Sequence, residues 1–226
     1  MESAGLRDLT IDQLIAMKIQ DVTPEYVRGL QAQGLHPDAE NLVAMKIQGV
    51  TPEFVHELHA DGLNPDINQI VALKIQGADG QYLRGLKDAG LQPDVNQLIA
   101  LKIQDVTGDY IKGLNEQGLH PSADQAISMR IQGVTPEYVH GIRALGLNPS
   151  ANELISMRVQ DVTAEYIKGL QAAGLKLDVN DIISAKVQDL TPEFVEKARA
   201  HGFKDLSLHK LIQLMQLGIL ESKADI

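Results

Sequence analysis

LVAMKIQGVTPEFVHELHADGLNPDINQ, residues Leu42 to Gln69, decides the fold because the chain keeps returning to it. The same 28-residue unit begins at Leu14, Leu42, Ile70, Leu98, Ala126, Leu154 and Ile182, with no insertion or deletion between copies. A fixed period of this length marks a repeat architecture, in which a unit too small to bury its own apolar face stacks on its neighbours. One position is glutamine in every copy: Gln20, Gln48, Gln76, Gln104, Gln132, Gln160 and Gln188. Two residues earlier the chain is always basic, at Lys18, Lys46, Lys74, Lys102, Arg130, Arg158 and Lys186. An aromatic recurs at Tyr26, Phe54, Tyr82, Tyr110, Tyr138, Tyr166 and Phe194, and a glycine at Gly34, Gly62, Gly90, Gly118, Gly146, Gly174 and Gly202.

Each unit carries the punctuation of two short helices. The first opens at a capping residue such as Asp66, Asp94, Ser122 or Ser150, with Gln69, Gln97, Gln125 or Glu153 three residues later to complete a capping box. The spacing predicts a helix over 67–76 in the copy that follows Asp66. The second opens with Thr51-Pro52-Glu53 and its equivalents: a hydroxyl cap, proline in the first turn, and an acid against the positive helix end. It stops at the recurrent glycine, which tolerates the left-handed backbone that follows a helix. At about 100° per residue, Phe54, Val55 and Leu58 fall on one face of the second helix, while Glu53, His56, His59 and Ala60 face outward. The first helix is apolar over more than half its circumference, which predicts burial between neighbours. Helices this short are marginal alone, so stacking must stabilise them. The expected fold is therefore all-α, a solenoid of two-helix repeats with atypical ends. Residues 1–13 form an N-terminal cap, 14–209 the seven repeats, and 210–226 a C-terminal capping helix with a frayed tail over 221–226.

The recurrent polar columns each admit a structural and a functional reading. A helical wheel places Lys46 inside the apolar arc, and the same holds for Lys74, Lys102, Arg130 and Arg158. A buried ammonium is costly, so the stem should lie on apolar neighbours while the head reaches a carboxylate, a carbonyl or water, giving a ladder between units. The glutamines lie on the other side of that helix. Gln48, Gln76, Gln104, Gln132 and Gln160, with Asn68, Asn96 and Asn152, make an amide row beside small residues. Such a row either satisfies helix-end backbone or holds an extended peptide, because an amide donates and accepts at once. Glycine inside the second helix, at Gly29, Gly85, Gly113, Gly141 and Gly169, costs about 1 kcal/mol relative to alanine, so a close helix approach is expected there. The aromatic column reads as core, with the tyrosine hydroxyls reaching water or a partner at its edge.

The phrase Leu-[IV]-[AS]-Met-[KR]-[IV]-Gln-[GD]-Val-Thr-Pro-Glu-[YF]-Val resembles bacterial tandem helical repeats. Such repeats occur in uncharacterised repeat proteins and in the tails of membrane-embedded zinc metallopeptidase sensors. The resemblance covers residues 5 to about 219 and implies a repeat fold serving as an appended interaction segment. It implies no peptidase chemistry: His56-Glu57-Leu58-His59 is one residue shorter than His-Glu-x-x-His. The uniform unit length also fits recent duplication, or an engineered or reconstructed sequence.

Composition narrows the function. With 44% hydrophobic and 22% charged residues the chain belongs with folded proteins that stay in water. A net charge of −10 argues against nucleic acid and anionic membranes, whose phosphates require clustered bases. There is no cysteine, so disulfides and thiolate metal sites are excluded. Met1 to Leu9 include Glu2, Arg7 and Asp8 and do not read as a signal peptide, and no apolar run suggests membrane insertion. His56 and His59 alone do not make a metal site, and no nucleophile–base pair or phosphate loop is found. The expected function is a non-catalytic scaffold that binds a protein or an extended peptide and needs no cofactor. The alternative is a structural spacer or self-assembling solenoid. Compartment and oligomeric state stay open.

Overall fold

A computed structural model describes residues 4–203 and 206–220. The expected tail at 221–226, the first three residues of the N-terminal cap, and residues 204–205 lie outside the described residues. The described residues hold fifteen α-helices and no strand. The first helices of the repeats are α1 (Ile11–Ile19), α3 (Ala39–Ile47), α5 (Ile67–Gln76), α7 (Val95–Ile103), α9 (Ala123–Ile131), α11 (Ala151–Val159) and α13 (Val179–Val187). The second helices are α2 (Pro24–Ala32), α4 (Pro52–Ala60), α6 (Gly80–Asp88), α8 (Gly108–Glu116), α10 (Pro136–Arg143), α12 (Ala164–Ala172) and α14 (Pro192–Ala200); α15 (Leu208–Gln216) ends the series.

The helices begin where the caps stand. Asp66, Asp94 and Ser150 accept the backbone N–H three residues on, while Gln69, Gln97 and Glu153 reach back to the cap N–H. Thr51, Thr135 and Thr191 cap the second helices ahead of their prolines, accepting from the N–H of Phe54, Tyr138 and Phe194. The closing glycines adopt positive φ, as at Gly62 (87°) and Gly146 (83°). After a first helix the left-handed position falls on Gly49, Gly77 or Gly133, or on Asp21, Asp105, Asp161 or Asp189 at φ 52–55°. Aspartate is among the few non-glycine residues that tolerate it.

The chain divides into two compact units, residues 1–112 with 122–127, and residues 113–121 with 128–226. In the first, α1 packs on α3, α3 on α5, α5 on α7, and α2 on α4. In the second, α11 packs on α13, α13 on α15, α10 on α12, and α12 on α14. Within each unit these helices thus meet their counterparts one repeat away, which makes the fold an all-α solenoid of two-helix repeats. The core of the first unit is built on Met17, Leu42, Met45, Leu58, Leu73, Leu83 and Leu101, all fully buried. That of the second includes Leu170, Ala185, Leu190, Val195 and Leu211. Phe54, Val55 and Leu58 are buried together, as the wheel of the second helix requires.

Close helix approach holds at four of the five internal glycines, Gly29, Gly85, Gly113 and Gly169. A Cβ on Gly29, Gly113 or Gly169 would stand 2.6–2.7 Å from Cγ of Pro52, Pro136 or Pro192 in the next second helix. A Cβ on Gly85 would meet nothing within 4 Å, but one on Gly108 would stand 2.4 Å from the Gly85 carbonyl oxygen, so the two helices approach backbone to backbone there. At Gly141 the added Cβ would meet only the Ala164 Cβ, at 3.9 Å.

Candidate functional site

The basic column sits on rings. In the first unit Lys46 Nζ lies 4.6 Å from the ring centroid of Tyr26, Lys74 Nζ 4.7 Å from Phe54, and Lys102 Nζ 4.5 Å from Tyr82. In the second, Arg158 and Lys186 each lie 4.9 Å from Tyr138 and Tyr166. Each cation therefore meets the aromatic of the preceding repeat, and Arg158 Nε also donates to the Gln132 carbonyl at 3.3 Å. Arg130 occupies the same column, half-buried. Of the partners expected for these heads, Arg158 takes a carbonyl, and the ring faces add a partner not among them: they supply negative potential at close range without a second charge to desolvate.

The aromatic column is bound in turn to the following repeat. The hydroxyls of Tyr26 and Tyr82 donate to the carbonyls of Val50 and Val106 at 2.9 and 2.7 Å. Those of Tyr138 and Tyr166 donate to Val162 and Leu190 at 2.8 and 2.7 Å. Burial pushes the phenols of Tyr26, Tyr138 and Tyr166 up to about 12, because a phenolate there would lose hydration.

The glutamine column ends the first helices. The backbone N–H of Gln48 donates to the Ala44 carbonyl, and that of Gln132 to Ser128, both at 3.1 Å. The side chains of Gln48, Gln76 and Gln132 are exposed, those of Gln104 and Gln160 partly so. No side-chain hydrogen bond joins Gln48, Gln76, Gln132 or Gln160 to another described residue. Asn68, Asn96 and Asn152 stand exposed at the opposite end of the same helices, second in α5, α7 and α11. Asn96 Oδ1 accepts from Gln69 Nε2 at 2.9 Å, tying one repeat to the next. Asn68 and Gln76 are eight residues apart, about 12 Å along a helix.

Between the two amide rows lies a row of apolar residues that the columns of the sequence do not single out. Ile47, Ile75 and Ile103 are 54–56% exposed and Ile19 is 71% exposed, in the first unit; Ile131, Val159 and Val187 are 52–56% exposed in the second. Only one arc of each first helix, through Leu42 and Met45 in α3, is buried against neighbours. The first helices are buried between neighbours along that arc, but their apolar surface extends beyond it. Helices stacked in one layer keep a free side, and the residue after the basic column falls there. Asn68, Ala72, Ile75 and Gln76 follow one another at helical spacing and so share a stripe. In the first unit the small residues of this stripe are Ala16, Ala44, Ala72 and Ala100; in the second they are Ser128, Ser156 and Ser184.

Between α1 and α3 the stripe deepens into a groove of about 240 Å³, lined by Gln13, Ala16, Ala39, Glu40, Val43, Ala44 and Ile47. Glu40 lines the groove from the N-terminal end of α3, and Asp12 and Asp21 are exposed at the two ends of α1. His56 is exposed on α4, and among the described residues no group of three His, Asp or Glu side chains is placed to hold a metal ion. No described helix is long and apolar enough to cross a membrane. No family model, curated protein or solved structure matches the chain.

Proposed function

We propose that the chain is a non-catalytic repeat scaffold that binds a protein or an extended peptide on the free side of its first helices. The observation that carries this reading is the row of exposed Ile47, Ile75 and Ile103, repeated as Ile131, Val159 and Val187. Isolated apolar residues on a surface need no explanation, but an ordered row bordered by polar groups marks an interaction surface. The flanking amides serve such a partner, since each can donate to and accept from a passing backbone. The resemblance to tandem repeats appended to other domains supports the same role.

The test is a screen of the full chain against a library of immobilised random peptides, run beside the double variant Ile47→Lys, Ile75→Lys. The wild-type chain is expected to enrich a family of sequences that the variant does not. Both proteins are expected to show unfolding midpoints within about 1 kcal/mol, as surface substitutions usually do. Equal enrichment by the variant, or its unfolding, would remove the reading.

A further inference from the structure

Resting on that reading, we infer that the first unit takes a basic segment in the polyproline II conformation, with an apolar residue at every third position. The first part of the argument is pitch. α1, α3, α5 and α7 pack one on the next, and helices in contact lie about 8–10 Å apart. The exposed Ile19, Ile47, Ile75 and Ile103 recur once per helix, so binding positions along a crossing chain repeat at about that distance. A polyproline II chain advances about 3.1 Å per residue with three residues per turn. Every third side chain then points the same way after about 9 Å. A β-strand covers a similar distance in three residues, but successive side chains alternate, so the third points away from the surface. Of these two extended conformations, only the three-fold chain keeps register with the helices.

The second part is charge. The α1–α3 groove is apolar apart from Gln13 and Glu40, and Asp12 and Asp21 are exposed at the two ends of α1. Lys46 lies over the Tyr26 ring and keeps its charge, and Lys18 is exposed on α1, so the three acids outnumber the exposed cation of α1. A segment with Lys or Arg between its apolar residues matches acids outside an apolar band. An acidic segment would face like charge at Glu40 and at both ends of α1. The floor favours the first unit, because Ala16, Ala44, Ala72 and Ala100 leave no hydroxyl to satisfy where Ser128, Ser156 and Ser184 do.

The experiment uses the full chain and labelled synthetic peptides, read by fluorescence anisotropy. One peptide places leucine at every third position among lysine and alanine. A second has the same composition with its leucines gathered at alternate positions in one half of the peptide, a third replaces lysine by glutamate, and a fourth replaces leucine by alanine. The first is expected to bind at least about tenfold more tightly than each of the others. Its affinity should weaken as salt is raised. It should also weaken on Glu40→Gln and be lost on Ile47→Lys, Ile75→Lys. Equal binding of the first two peptides overturns the three-residue register, and equal binding of the glutamate peptide overturns the charge match. Equal binding of the alanine peptide shows mere attraction between opposite net charges and overturns the inference. In these cases the scaffold reading survives if the random library still enriches ligands that depend on Ile47 and Ile75. Failure of both the designed peptides and the library overturns both.

Discussion

Tyr166 shows how a single residue couples repeats. Its ring carries the Lys186 cation 4.9 Å from its centroid, and its hydroxyl donates 2.7 Å to the Leu190 carbonyl. Both contacts reach residues one repeat later, so the aromatic column is a fastening as well as core. Phe54 keeps the ring contact with Lys74 and is buried. Phe54→Ala is therefore expected to cost about 3–5 kcal/mol by chemical denaturation; a loss below about 1 kcal/mol would show that the column is dispensable. The phenols also set the alkaline limit of the fold. Their pKa in the folded chain, about 12 for Tyr26, Tyr138 and Tyr166, lies above the value of about 10 in an unfolded chain. Stability from these groups is thus complete below pH about 10 and is lost as the pH rises through about 12. Ultraviolet titration is expected to show phenolate appearing together with loss of helix; phenolate formation near pH 10 with helices intact would contradict this.

At the scale of the element, the helix boundaries could be read from the sequence because they rest on local chemistry. Asp66 with Gln69 and Thr51 with Pro52 each act within four residues, and the helices begin there. The free side of the first helices could not be read in the same way. A nine-residue helix such as Ala39–Ile47 is apolar over more than half its circumference, and only the positions of its two neighbours decide that Leu42 and Met45 are covered and Ile47 is not. The ring–cation pairs were hidden for a related reason: Tyr26 and Lys46 are partners across two helices, whereas a wheel compares residues within one. Packing between second helices gives a paired prediction. Gly29→Ala puts a Cβ 2.7 Å from Pro52 Cγ and is expected to destabilise by about 1–3 kcal/mol as overpacking. Gly85→Ala meets nothing within 4 Å and is expected to stabilise by up to about 1 kcal/mol through helix propensity. Denaturation midpoints that move the same way in both variants would contradict the Pro52 contact as the constraint on Gly29.

For the whole molecule, nearest-neighbour stacking means that length is adjustable. Removing residues 42–69, one complete period, joins Asn41 to Ile70 in register and replaces each lost interface by an equivalent one. The shortened chain is expected to fold cooperatively with a lower midpoint; an aggregated or non-cooperative product would contradict the 28-residue frame. The same stacking that leaves the repeats interchangeable also sets Ile19, Ile47, Ile75 and Ile103 in one row on the first unit. That row, as a binding surface, is the claim on which the functional reading depends. It is tested most directly by methyl nuclear magnetic resonance of the isoleucines while the leucine-every-third-residue peptide is added to the full chain. Shifts are expected at Ile47, Ile75 and Ile103, with buried Ile111 and Ile142 unchanged. Shifts confined to other isoleucines, or spread equally over buried and exposed ones, would contradict it.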